Sequence, residues 1–370
     1  MKKILLITYF PDISIGGIER LFGDIYFSLN KLGYQQKILS INKAKTNDLL
    51  TKDYDVLLRG NKYMIVGIYN LRDLLIFIYL LFNGSNKIII ISHIYLSRGA
   101  LLYAKMFNNK IIVYAHGREV WQEYRESYKR VLRRAEIWTN SSFTKNIIKD
   151  RTVFTKILNP IVSDEILKKG VKTPKGLTTF PIKLLIVGRV DHEYKGHKLV
   201  ISATERLIKS GLNISLDIIG TGKMSTEIEN IVENSSANSH IQYYGYVSKS
   251  VLLERYNSAN VFVLPSKFSN DNNDSTGEGF GIVYLEAMNF GLPVIAYKKG
   301  GHIDFIKDGY NGKLVEYDIE SLSKAIRKII SSEKKYVDYS KHAINTAKKF
   351  NQGIMINTLK HLLMVDTKFK

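Results

Sequence analysis

Short runs of Ile, Leu and Val recur along this chain, and a longer segment with helical spacing follows most of them. In the first half they read KKILLIT, QKILSI, NKIIIIS, KIIVYAH and EIWTNS. In the second they read IKLLIVG, ISLDIIG, IQYYGY, VFVLPS, PVIAY and GKLVEY. A strand that is apolar along its whole length needs cover on both faces. Alternation with helices supplies that cover, so the pattern demands parallel sheets and an α/β fold.

A single hydrophobic core does not usually organise 370 residues of which 45% are apolar, so two domains are expected. The stretch KKGVKTPKGLTTFP, residues 168–181, has two prolines and no apolar period, and reads as the linker. The expected division is 1–170 and 171–349, each with its own Rossmann-like sheet and with ligands in the cleft between them. From near Tyr336 the chain reads as helical, with Ala343, Ala347, Phe350, Ile354, Ile356, Leu359 and Leu362 at mixed three- and four-residue spacing. The part from about 350 to 370 is expected to cross back onto the first domain.

The start, MKKILLITYFPD, is broken by Thr8 and stopped by Pro11, and reads as a first strand rather than a signal peptide. The longest greasy run, LLIFIYLLF at 74–82, falls short of the roughly 20 residues that span a bilayer. It is expected as a helix buried between sheet and neighbours, the alternative being a helix whose apolar side meets lipid. There is no cysteine, hence no disulfide and no thiolate metal site, and the cytosol is the default compartment.

The chain carries 54 basic and 34 acidic residues, a formal net charge of +20. Residues 1–170 hold 27 basic and 14 acidic residues (+13), leaving 27 and 20 (+7) for the remainder. Such an excess suits an anionic partner, whether nucleic acid, acidic lipid or a phosphorylated substrate.

Several strand ends carry residues suited to such a partner. In ISIGGIERL, Gly16 and Gly17 open a helix after the first strand, where backbone amides can approach a phosphate or sugar. A plain tight turn fits that local sequence equally well. IIVYAHGREVW places His116 after a strand with Arg118 beside it. LLIVGRVDHEYKGHKLV sets Arg189 after a strand and Lys195 before the next helix, two cations suited to a diphosphate. Asp191, His192 and Glu193 lie between them without the spacing of a metal site, and none is expected. LDIIGTGK, with Gly220 and Gly222, is a further amide-rich turn.

The segment STGEGFGIVYLEAM, residues 275–288, holds Glu278 and Glu286 on either side of a glycine-punctuated run. Paired carboxylates serve glycoside hydrolysis as acid and base, or they hold a ligand. A helix beginning near Gly281 would aim the amides of Gly281 and Ile282 at a phosphate. Glu286, in its second turn, would then face ribose hydroxyls, and Glu278 another sugar.

Taken together, these residues resemble the retaining glycosyltransferases of the GT-B fold, family 4. The likeness is carried by the E-x7-E pair Glu278 and Glu286, by VGRVDHEYKGHKLV, YYGYVSKSVLLERYNSANVFVLPS and GEGFGIVYLEAMNFGLPVIAYKKGGHIDFIKDGYNGKLV, and by the early GG and AHG. It implies an acceptor-binding N-terminal domain and a C-terminal domain that binds a UDP- or GDP-linked sugar, with no cofactor. Arg189 and Lys195 would contact the diphosphate with the Gly281 and Ile282 amides, Gly279 and Phe280 belonging to the same donor-binding turn. Glu286 would bind ribose, Glu278 would face the transferred sugar, and the backbone at Tyr246 and Val247 would meet the base. Gly16, Gly17 and Gly220 would border the donor, and His116 would lie close to the sugar. The resemblance further implies retention at the anomeric carbon, with the departing phosphate deprotonating the acceptor. Two departures stand out: SNDNNDST before Glu278 is longer than usual, and Asp304 replaces the glutamate of many relatives.

EVWQEYRESYKRVLRRAEIW, residues 119–138, puts Tyr124, Tyr128, Val131, Leu132 and Ala135 on one helical side. Arg125, Lys129 and Arg133 form a neighbouring stripe, with Arg130 and Arg134 beside it. A basic amphipathic helix of this kind can lie on anionic lipid; core packing with a solvated charged face is the alternative. A lipid-linked or glycan acceptor at the inner face of the cytoplasmic membrane is the resulting expectation, in bacterial surface polysaccharide or glycolipid synthesis. A GT-B sugar-nucleotide epimerase shares the architecture, and acceptor-dependent release of nucleoside diphosphate separates the two. A nucleic-acid-binding protein would fit the charge but lacks a recognition motif or stacking platform.

Overall fold

The computed structural model describes residues 3–11, 16–45, 51, 54–57, 69–84, 88–122, 126–177, 180–271 and 274–364. The chain divides into two compact units, Met1–Ile161 with Gln352–Lys370, and Val162–Asn351.

The first unit contains strands β1 (Lys3–Thr8), β2 (Gln35–Ser40), β3 (Asp55–Val56), β4 (Ile88–Ile91), β5 (Lys110–Ala115), β6 (Glu136–Thr139) and β7 (Phe154–Ile157). They form one parallel sheet in the order β3-β2-β1-β4-β5-β6-β7. Helices α1 (Gly17–Lys31), α2 (Tyr69–Asn83), α3 (Arg98–Phe107), α4 (Arg118–Trp121), α5 (Glu126–Arg134) and α6 (Ser142–Ile148) connect them. Central strands are covered on both sides, which is why β4 is four isoleucines, all buried. Each such side chain contributes about 1.5–3 kcal/mol relative to exposure.

The second unit repeats the plan with β8 (Ile182–Val187), β9 (Ile214–Ile219), β10 (Ile241–Gly245), β11 (Val261–Leu264), β14 (Val294–Tyr297) and β15 (Gly312–Val315). Their order is β10-β9-β8-β11-β14-β15, again parallel. A small antiparallel pair, β12 (Ser269–Asp271) and β13 (Asp274–Thr276), stands apart from that sheet. The helices are α7 (Asp164–Lys169), α8 (His197–Lys209), α9 (Ser225–Glu233), α10 (Lys249–Ser258), α11 (Ile282–Asn289), α12 (Ile319–Ile329) and α13 (Glu333–Ala347). Two doubly wound sheets of Rossmann type result, and each of the eleven short runs from KKILLIT to GKLVEY supplies one of their strands.

The last helix, α14 (Gln352–Met364), belongs to the first unit. Its Met355, Leu359 and Leu363 recur every four residues and enter the core with Leu21, Phe22, Ile25 and Leu29. Lys156 Nζ, paired at 3.2 Å with the fully buried Glu136, also donates to the Leu362 carbonyl at 3.1 Å.

Some expectations shift. The boundary falls at Ile161 and Val162, before the expected 170, because Val162 and Ile166 join the second core and Asn289 Nδ2 bonds the Ile166 carbonyl at 2.7 Å. The stretch read as a linker is tied into the second unit, where Lys175 Nζ donates to the carbonyls of Tyr256, Asn257 and Ala259. The C-terminal helix is two helices, α13 and α14, interrupted at 348–351. The segment 119–138 is likewise two helices, α4 and α5, with Gln122 extended at the end of α4. Tyr124 and Arg125 lie outside the described residues. LLIFIYLLF is helical, but Leu74, Ile78, Leu81 and Phe82 face outward instead of being buried.

Candidate functional site

In an open parallel sheet, ligands gather beyond the strand ends where the strand order reverses. In the second unit that place lies between β8 and β11. The segment after β8 carries Arg189 and Lys195; the segment after β11 carries Ser266, the β12–β13 pair and Glu278. Backbone contacts join the two segments: the Lys267 amide donates to the Tyr194 carbonyl at 2.7 Å. Gly196 follows Lys195 in the left-handed region, at φ +85°, and an added Cβ would stand 2.7 Å from Pro265 Cγ. The glycine lets the short turn Glu193–Lys195 close against Pro265 before α8 begins.

This closure brings Lys195 Nζ onto Glu278 Oε1 in a short ion pair. The side chains are 12% and 15% exposed. Ser266 Oγ donates to the same carboxylate oxygen at 3.3 Å. Burial by itself would raise the Glu278 carboxyl; the Lys195 ammonium, with help from His302 and Ser266, outweighs it and holds the carboxyl below the usual glutamate range.

The GEGFG turn is fixed from behind. The Gly301 amide donates to the Glu278 carbonyl at 2.8 Å, and a Cβ on Gly301 would come within 1.7 Å of the Gly279 carbonyl oxygen. Phe280 is buried against Phe305 and Phe350. Gly281, at φ +84°, is the N-cap of α11 and has no side chain to cap its first amides; the Tyr284 amide bonds the Gly281 carbonyl at 3.1 Å. Glu286 lies in the second turn, buried, with Oε2 accepting from Tyr256 at 3.3 Å. The two glutamates thus have different partners, a lysine for one and a phenol for the other.

Arg189 does not join the Lys195–Glu278 pair. Its side chain is 76% exposed and reaches Asp191 at 3.3 Å. Gly220, at φ +136°, is explained by packing: a Cβ there would lie 1.9 Å from the Gly188 carbonyl oxygen. Tyr246 is exposed, and Val247 packs partly against the core.

Three further residues belong to this neighbourhood. His302 is fully buried, with Nε2 bonded to the Tyr297 carbonyl at 2.5 Å and its ring 5.2 Å from that of Tyr284. His197, the first residue of α8, is buried and pushed down to about 4, chiefly by burial and secondly by Lys195. Ser266 is the third. All three lie inside the stretches that carry the resemblance, but nothing in the sequence assigned them a role; the paired glycines 300 and 301 beside His302 were the available signal.

In the first unit the corresponding reversal lies between β1 and β4. Gly16 is extended, and a Cβ on Gly17 would meet nothing within 4 Å, so packing within this unit does not require glycine there. His116 follows β5 and places Nε2 2.7 Å from the Ser92 carbonyl. A carbonyl only accepts, so Nε2 carries the proton, and in the neutral ring Nδ1 is an acceptor. Glu119 accepts from the His116 amide, and Asn140 Nδ2 donates to its carbonyl. Among the described residues, no group of three His, Asp or Glu side chains is arranged to hold a metal ion.

Comparison with known proteins bears on the family and the fold. Residues 172–346 match the family described as Glycosyl transferases group 1. Across 95% of this chain and 94% of the relative, the sequence is 24% identical to alpha-1,3/1,6-mannosyltransferase ALG2 of Dictyostelium discoideum. The fold is similar to that of the lipopolysaccharide outer core galactosyltransferase WaaB, with TM-score 0.75, 19% identity and coverage of 98% and 99% of the two chains. It is similar as well to Anabaena HepE in complex with UDP and glucose, with TM-score 0.76, 14% identity and the same coverage.

Proposed function

We propose that this chain, whose residues 172–346 match the family described as Glycosyl transferases group 1 and whose fold is similar to that of WaaB, is a GT-B glycosyltransferase that performs its transfer as follows. The donor is a nucleoside-diphosphate sugar, uridine- or guanosine-linked, and a hexose passes with retention to a glycan or lipid-linked acceptor. The Lys195–Glu278 pair in front of the α11 N-terminus carries this reading. Lys195 and the Gly281 and Ile282 amides meet the diphosphate, Arg189 swings in from its exposed position, and Glu286 with Tyr256 meets the ribose.

The bond from the anomeric carbon to the phosphate oxygen breaks, and negative charge grows on that oxygen. A fixed ammonium and a helix start aimed there stabilise the transition state without reorganising, and this charge neutralisation needs no metal ion. The acceptor oxygen bonds to the anomeric carbon on the same face, and its proton passes to the departing phosphate. Glu278 is ill suited to take that proton: a carboxyl held below its usual range is a weaker base than free glutamate. It is well suited to accept hydrogen bonds from sugar hydroxyls. The opposed reading, in which Glu278 and Glu286 work as acid and base, would need one carboxyl raised so that it stays protonated as the acid, and Lys195 holds Glu278 low instead.

The basic first half and the lipopolysaccharide enzyme among the similar folds support a lipid-linked acceptor at the inner membrane face. Two measurements test the reaction. Nucleoside diphosphate should be released only when acceptor is supplied, and proton NMR of the product should show the donor's anomeric configuration. Conversion of the nucleotide sugar without acceptor would favour an epimerase, and an inverted product would remove the same-face route.

A further inference from the structure

Helix α2 is built inside out. Its exposed side chains, Leu71, Leu74, Ile78, Leu81 and Phe82, recur at three- and four-residue intervals along one face, and Phe82 is 84% exposed. Its charges point inward instead: Arg72 is buried and donates to the Tyr95 carbonyl, and the buried Asp73 lies 3.5 Å from Arg98. Helix α3 packs against α2 and continues the apolar surface with Leu102, Met106 and Phe107. Apart from Lys105, every exposed side chain described on these two helices is apolar. Scattered exposed leucines are ordinary, but a contiguous apolar face on two neighbouring helices marks an interaction surface.

Charge identifies the occupant. Helix α5 packs against α3, and it carries the exposed Arg130, Arg133 and Arg134 with Lys129 half exposed. The one acidic residue on α5 is Glu126, already shared by Lys129 and Arg133. An apolar face edged by cations matches the boundary between acyl chains and anionic headgroups. A second copy of the chain would bring like charges together, and a protein partner would be left with few hydrogen bonds to make across α2 and α3.

We propose that α2 and α3 form a docking face that enters the interface of an anionic bilayer, with α5 lying over the headgroups. The inference deepens the lipid-linked acceptor reading and rests on it, whereas its test needs no turnover. None of the helices among the described residues is long and apolar enough to cross a membrane, so the contact is peripheral.

The test is sedimentation of the full chain with phosphatidylcholine vesicles and with vesicles of phosphatidylcholine mixed with phosphatidylglycerol. The chain should pellet with the mixed vesicles. Leu74→Ser and Phe82→Ser should each weaken that binding about tenfold without lowering the melting temperature, since both side chains are exposed. Arg133→Glu should weaken binding to the mixed vesicles at least about fivefold and leave the neutral ones unaffected. Ile354→Ser, an exposed apolar position on α14, is the control and should change nothing.

Three results would overturn the proposal: wild-type chain left in the supernatant with both vesicle types, an equal loss from Ile354→Ser, or a lipid-free dimer that Leu74→Ser dissociates. Thermal shift with UDP and GDP separates the two readings. A chain that is stabilised by nucleotide but never pellets removes the docking face alone. A chain that pellets but ignores both nucleotides upholds the face and removes the donor reading.

Discussion

Replacing Lys195 by methionine removes the ammonium that keeps Glu278 ionised below the surface. Breaking a fully buried pair from one side costs about 3–5 kcal/mol; with both side chains slightly exposed, about 2–3 kcal/mol is expected here. A unit of this size loses about 2–4 °C per kcal/mol, so the Val162–Asn351 transition should fall by about 5–10 °C. Adding Glu278→Gln removes the stranded charge and should recover most of that loss. Turnover should not recover, because the developing phosphate charge has lost a donor worth about 2.7–4 kcal/mol, or about 100- to 1,000-fold. Differential scanning calorimetry reads the first effect, and the initial rate of nucleoside diphosphate release reads the second. A double variant no more stable than Lys195→Met, or a single variant within tenfold of wild-type turnover, would refute the reasoning. The sign with pH follows as well. Glu278 is depressed in the folded state, so its contribution is full above the unfolded glutamate value near about 4.3 and is lost as pH falls through the folded value.

His197 provides a second pH effect. It is pushed down to about 4 when folded, whereas the unfolded chain takes up a proton near about 6.5, so stability is full above that pH and declines toward 4. The decline should be on the order of 3 kcal/mol, and His197→Gln should flatten it in pH-dependent urea titrations. Gly17→Ala meets open space and should leave the melting temperature unchanged or slightly raised, yet slow transfer if the glycine borders the donor. Gly220→Ala, by contrast, drives a Cβ into the Gly188 carbonyl and should destabilise the second unit outright. Truncation before Gln352 removes Met355, Leu359 and Leu363 from the first core, at about 2–5 kcal/mol each, and limited proteolysis should then degrade that unit first.

The central strands were legible because cover on both faces forces continuous apolar runs; LLIFIYLLF, the one longer run, is a helix. The edge strand β7 was not, since Phe154–Ile157 is only half covered and admits Thr155 and Lys156. The β12–β13 pair was hidden by its polar composition: the Ser269 amide bonds Thr276 Oγ1, and Ser275 Oγ bonds Asn270 Oδ1. Helix α2 shows a different limit. Periodicity reveals an apolar stripe but not its direction, and only the inward Arg72 and Asp73 show that the stripe faces out. At the site, the KG and GEGFG motifs were readable, but their contact depends on a strand order that brings residues 195 and 278 to one sheet end. Ser266, His302 and Tyr256 lie inside the stretches that carry the resemblance, but their spacing does not show that they reach the two glutamates; the fold brings them there.

The most direct test is calorimetric titration of UDP and GDP into wild-type, Glu278→Gln and Lys195→Met proteins. Lys195 is held by Glu278, so an arriving diphosphate must compete for the ammonium. Glu278→Gln should therefore bind the nucleoside diphosphate as tightly as wild type or more so, while transferring sugar at least about a hundredfold more slowly. Lys195→Met should bind it about tenfold or more weakly. A Glu278→Gln protein whose nucleotide affinity falls as far as its transfer rate would contradict the assignment of that carboxylate to the sugar.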